Sequence, residues 1–124
     1  MVDQQLLKEL RKNFRFSLHI PEILGIVLFG SHLKNQATIR SDIDICVVTE
    51  NKPSLSLWNQ IVDDQPDPQE SYSIYFFHEL PLYIKKDIFS EGLVIVSPDE
   101  PRLHEFFFPY RKIWQDEKYI MRNA

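Results

Sequence analysis

Two pairs of residues in this chain could do chemistry together. Asp42 and Asp44 open the apolar run Ile43–Val48, and Gly30-Ser31 closes the run Ile26–Phe29; ten residues separate Ser31 from Asp42. On a strand, residues two apart project from one face, so both carboxylates share a side while Ile43 and Ile45 point to a core. Two like charges that close repel unless a cation sits between them. Mg²⁺ suits such a seat, because it takes oxygen ligands, typically one or two carboxylates plus substrate phosphates. A glycine after a strand lets backbone approach a ligand, and a helix beginning at Ser31 would present free N–H groups to an anion. Taken alone, each pair has a plainer meaning: a solvated strand end for Asp-x-Asp, a strand-to-helix turn with a serine cap for Gly-Ser. On consecutive strands joined by a compact connection, they place a phosphate cradle beside a metal seat, as nucleotide chemistry requires.

The elements that must hold these residues follow from the apolar patterning. Residues 3 to about 15 predict a helix capped by Asp3, with Leu6, Leu7, Leu10 and Phe14 on one stripe and Lys8, Arg11, Lys12 and Arg15 mostly off it. Those cations read best as a solvated surface, with a basic docking face as the alternative. Ile23–Phe29 predicts a buried strand, 31–35 a short helix, and 42–49 a second strand. Ser54 caps a helix through about Val62, and 63–69, with two prolines and three aspartates, is a loop. A third strand is expected over Ser71–Phe77. Then come a helix over 79–90 started at Pro81 and closed by Gly92 as a C′ residue, and a fourth strand over Leu93–Val96. A last amphipathic segment runs from about Glu100 to Met121, with Pro109 expected to kink or split it. Strands alternating with helices make this an α/β (α+β) chain, a sheet of about four strands flanked by helices and either mixed or parallel in direction, since strand order is not legible here.

Composition bounds the rest. The chain has 124 residues, 44% of them hydrophobic, with nine Phe, five Tyr and two Trp, enough for one domain with its own core. A net charge of −4 argues against a protein held on nucleic acid by a broad basic face. The single cysteine, Cys46, excludes an internal disulfide and fits a reducing compartment. No run approaches the roughly 20 apolar residues a membrane span needs, and the N-terminus carries no signal-peptide block. A cytoplasmic protein is the expectation. The four histidines show no ligand-like pairing, and Cys46 reads as a packing residue.

The stretch FGSHLKNQATIRSDIDICVV resembles the Gly-Ser-x10-Asp-x-Asp signature of the polymerase-β-like nucleotidyltransferases. The short chain is similar to their minimal nucleotidyltransferase subfamily. LPLYIKKDIFSEGLVIV resembles that subfamily's helix, Glu-Gly turn and final strand, so that the likeness spans about residues 23–97. The resemblance implies an αβα nucleotidyltransferase fold, binding of Mg²⁺ and an NTP with ATP the expected nucleotide, and transfer of a nucleoside monophosphate to a hydroxyl. It assigns Gly30 and Ser31 to the nucleotide phosphates, and Asp42 and Asp44 to catalysis and the metal. Lys34 and Arg40 would add positive charge to the phosphates in place of the subfamily's Arg-x-Arg-Gly-like run; exposed loop cations are the equal alternative. It further implies a helical HEPN-type partner, the two forming a toxin–antitoxin pair in which the transferase adenylylates the toxin. Homo-oligomers are compatible with this, and direct nucleic-acid binding is not expected.

One departure stands out. The family's third catalytic carboxylate should fall near Ser73, and no acid lies between Ser71 and Phe77. Glu70 and Glu79 are the nearest acids; Glu70 would reach the site only if a bulge changed its side. Two functions from different classes therefore stay open. One is an enzyme moving AMP to a partner's hydroxyl. The other is a catalytically silent module that neutralises its partner by covering it. The run HEFFFPYRKIW bears on both, because three consecutive phenylalanines cannot all face one core from one helix. The segment from about residue 100 is thus a candidate partner surface within a single domain, 1–124.

Overall fold

Strand β1 (Ile23–Phe29) is buried along its whole length, and the rest of the chain is layered on its two faces. The computed structural model describes residues 3–30, 43–63 and 72–123. Strands β2 (Ile43–Thr49), β3 (Tyr72–Phe76) and β4 (Leu93–Val96) complete a sheet ordered β3-β2-β1-β4. β1 runs antiparallel to β2 and β4, whereas β2 and β3 are parallel, so the sheet is mixed rather than purely parallel.

Helices α1 (Gln4–Asn13) and α2 (Leu55–Asp63) cover one face. Leu7, Leu10 and Phe14 of the first segment and Leu57 and Ile61 of α2 pack against Ile26, Leu28, Ile45 and Val47. Asp3 caps α1 by accepting from the Gln5 N–H at 3.1 Å, and Ser54 Oγ accepts from the Leu57 N–H at 3.2 Å. Both caps are those read from the sequence. The chain leaves α1 through a 3₁₀ turn (Arg15–His19) that the sequence did not announce.

Helices α3 (Leu82–Glu91) and α4 (Glu100–Asn123) cover the other face. There Ile88, Phe89, Leu103 and Phe107 meet Leu24, Val27, Cys46, Val48 and Phe77. Lys85 Nζ lies 5.1 Å from the Tyr110 ring centre, and the Arg111 guanidinium donates to the Phe89 carbonyl at 2.9 Å, so cations join the two helices.

Two expectations change here. Of the two outcomes expected at Pro109, a kink or a split, the split does not occur, since α4 is one helix. Pro109 and Glu105 are both exposed, so the carbonyl deprived of its helical donor lies on the side of α4 that water reaches. Gly92 caps α3, but with φ −63° and ψ 149° rather than in the left-handed region. Glycine is needed there for space: a Cβ would stand 2.5 Å from the Ile88 carbonyl oxygen and 2.5 Å from Val27 Cγ1.

Candidate functional site

The β1–β2 pairing builds the described part of the site. Phe29 and Asp44 are partners in the antiparallel register, so the residue that leaves β1, Gly30, passes directly beside the Asp44 side chain. Gly30 has φ +85°, which L side chains rarely adopt. A Cβ on Gly30 would collide with Asp44 Oδ2 and stand 3.1 Å from Asp44 Cγ. The missing side chain therefore gives the chain its left-handed turn and leaves room for a half-buried carboxylate against bare backbone. Ser31, Lys34, Arg40 and Asp42 lie outside the described residues, as do the expected helix over 31–35 and Glu70. Of the residues predicted for the site, Gly30 and Asp44 are the two the structure brings together.

The parallel β2–β3 pairing decides what stands next to Asp44. Its register partner is Ser73, on the same face of the sheet. This is the position at which the family resemblance implies an acid and the chain has none. Glu79 does not substitute for it. It lies beyond the far end of β3, where the neighbouring His78 ring shares a 2.9 Å hydrogen bond with the Thr49 carbonyl. From Asp44 to Thr49 the sheet extends about 16 Å at roughly 3.3 Å per residue. Among the described residues no group of three Asp, Glu, His or Cys is placed to hold a metal ion.

Two further residues share the Asp44 face. Cys46 is fully buried, and burial pushes its thiol well above the ordinary value of 9.0. A neutral thiol is a poor nucleophile, so Cys46 packs the core as the sequence suggested. Tyr75 is not among the residues the sequence singles out. It is 40% exposed, two residues beyond Ser73, with its ring edge-on to Phe29 at 5.7 Å. Strict alternation along β3 was the signal that placed it beside the site.

The site thus sits on a mixed sheet between two helical layers, where an acid-bearing strand pairs with a strand that runs into a left-handed glycine. The family model for Polymerase beta, Nucleotidyltransferase matches residues 7–101, and the chain belongs to that family. A Methanocaldococcus jannaschii relative named "Putative protein adenylyltransferase" is 43% identical over 103 residues, covering 82% of this chain and 79% of its own. Among solved structures, the tri-AMPylated Shewanella oneidensis HEPN toxin in complex with MNT antitoxin matches at TM-score 0.62 and 15% identity, over 94% of this chain and 93% of that one. The toxin–antitoxin MntA-HepT matches at TM-score 0.65 and 15% identity, over 98% and 94% of the two chains. At that identity the structures speak for the fold. Among the described residues no helix is long and apolar enough to cross a membrane.

Proposed function

We propose that this chain is a nucleotidyltransferase that binds Mg-ATP and moves AMP to a hydroxyl of a HEPN-type partner protein, as the antitoxin of a toxin–antitoxin pair. The observation that carries the reading is the Asp44 carboxylate lodged against Gly30 at the end of the β1–β2 pair. It is supported by the 43% identity to a relative named as a protein adenylyltransferase and by the likeness to MNT–HEPN complexes.

The donor set fits magnesium: Asp44 offers hard carboxylate oxygen on the site face, and Asp42, two residues earlier in the sequence, is a second carboxylate. In this reading Asp42 and Asp44 hold the ion, which when bound neutralises phosphate charge and orients the nucleotide. The Gly30 backbone and Ser31 cradle the phosphates, and Lys34 and Arg40 add positive charge. The acceptor oxygen bonds to the α-phosphorus, the bond from that phosphorus to its leaving oxygen breaks, and pyrophosphate departs. The acceptor's proton passes to solvent water, because Ser73 beside Asp44 supplies no carboxylate to take it. Loss of a general base costs about 10²–10⁴ in rate, so slow transfer is expected. The segment from Glu100 onward, with Phe108 65% exposed and Ile113 48% exposed, supplies the partner surface.

Incubating the purified chain and partner with labelled ATP and Mg²⁺ should label the partner. Label should be lost when Asp42 and Asp44 are replaced by Asn. Transfer from no NTP at all would remove the enzymatic reading. Ser73 favours one alternative, inhibition by occlusion alone, in which the Asp42→Asn/Asp44→Asn pair still binds and silences the partner. A variant that folds and binds but no longer inhibits would exclude occlusion.

A further inference from the structure

β4 is an edge strand of the sheet, and α1 overhangs it to form an open groove of about 530 Å³. The groove is lined by Lys8, Arg11, Lys12 and Arg15 on one side and by Val94, Ile95 and Val96 on the other, with Leu18 at its mouth. All four cations are exposed, and among the described residues none of them forms an ion pair. Glu100 is the single acid in the lining. Four positive charges therefore gather in one groove of a chain whose net charge is −4. As a solvated helix face they would need no particular neighbour; here they flank an edge whose ladder partner is β1 alone.

An edge strand offers unpaired backbone N–H and C=O groups to an incoming strand. We propose that the α1–β4 groove docks an extended acidic segment of a partner protein. The segment adds to β4 as a fifth strand, and its carboxylates lie under Lys8, Arg11, Lys12 and Arg15. Backbone pairing supplies the register and the cation row supplies the choice of sequence. Leu18, 43% exposed, and the half-buried Val94 receive small apolar residues between the acids, while Ile95 and Val96 stay in the core. A nucleic-acid strand fits less well, because the lining holds no aromatic ring on which a base could stack. β1 and β4 both stand between the docked segment and β2, so the segment runs about 14 Å from the Asp44 strand at roughly 4.8 Å per strand. The groove is thus a docking site, apart from the place where an acceptor hydroxyl would react.

The test is fluorescence anisotropy on the full chain with two labelled probes, an octapeptide alternating valine and glutamate, and a dodecathymidylate strand. The peptide should bind. Arg11→Glu/Arg15→Glu should weaken it by tenfold or more, and raising salt should do the same by screening. The milder Lys8→Gln/Lys12→Gln pair should weaken it less, and circular dichroism should show both variants folded. A peptide N-methylated at alternate residues, which cannot complete the ladder, should lose binding. Peptide affinity indifferent to the arginine substitutions or to N-methylation would overturn the proposal. So would charge-dependent capture of the oligonucleotide in place of the peptide. A self-associating chain that the arginine substitutions convert to monomer would assign the groove to a second copy instead.

Discussion

Asp44 sits between two small residues that set its chemistry in opposite ways. On one side Gly30 leaves space: at φ +85°, with a Cβ position already filled by the Asp44 carboxylate, it admits no side chain without moving the acid. Gly30→Ala should therefore cost about 1–2 kcal/mol from the left-handed backbone alone. It should also abolish Mg-ATP binding; denaturant melts and calorimetric titration read the two effects separately. Unchanged nucleotide affinity in a destabilised variant would show that the carboxylate's position is not what binds. On the other side Ser73 leaves a gap in the chemistry. Ser73→Asp puts a second acid in register with Asp44. Without metal it should lower stability by like-charge repulsion; with Mg²⁺ the melting temperature should recover, and AMP transfer should rise by about 10²-fold or more. No gain in transfer would mean that the proton already has another acceptor. Much of this was legible in the sequence. Asp-x-Asp spacing fixes the side of the strand, and the family resemblance implies an acid near Ser73, which the register places opposite Asp44. Contact between Gly30 and Asp44 was not legible, because it depends on the pairing partner of Phe29 and no local pattern encodes that.

At the scale of elements, the sequence read best where a run is wholly buried. Ile23–Phe29 and Leu93–Val96 are strands with the bounds expected, since continuous β-branched runs between turn residues leave little choice. It read worst where a local rule met a tertiary constraint. Gly92 obeys packing against Val27 rather than the left-handed cap rule, and Pro109 stays inside α4 because the flanking helix is anchored by burial. Leu103 and Phe107 are buried on that helix, whereas Phe108 is 65% exposed. Phe107→Ala should thus cost about 3–5 kcal/mol in chemical denaturation, and Phe108→Ala within about 0.5. If Phe108 belongs to the partner surface, its replacement should weaken the complex while leaving the melt unmoved. Equal destabilisation by both substitutions would mean that the face carrying Phe108 is part of the fold.

At the scale of the whole molecule, one sheet carries two cores, and the strands β1 and β2 belong to both. Ile45 and Val47 face α1 and α2, while Cys46 and Val48 face α3 and α4. Neither helical layer can separate without exposing strands the other layer needs, so both should unfold in one transition. Cys46 offers the means to test this. Its thiol is buried, and burial raises its pKa above 9.0, so the folded chain keeps the proton at a pH where the unfolded chain loses it. Stability from this group is complete below the unfolded value and falls as pH climbs past about 9, by up to 1.4 kcal/mol per unit. Lysines and tyrosines also titrate there, so the thiol's share is the difference in slope between this chain and Cys46→Ala, measured by denaturant melts from pH 8 to 10. The substitution should lower stability at pH 8 by leaving a small cavity and should flatten the decline above pH 9. At neutral pH a thiol reagent should label Cys46 only through opening, with a free energy equal to that from circular dichroism. Labelling far faster than global unfolding would show that the α3–α4 layer opens by itself. The two cores would then be separate cooperative units on one sheet.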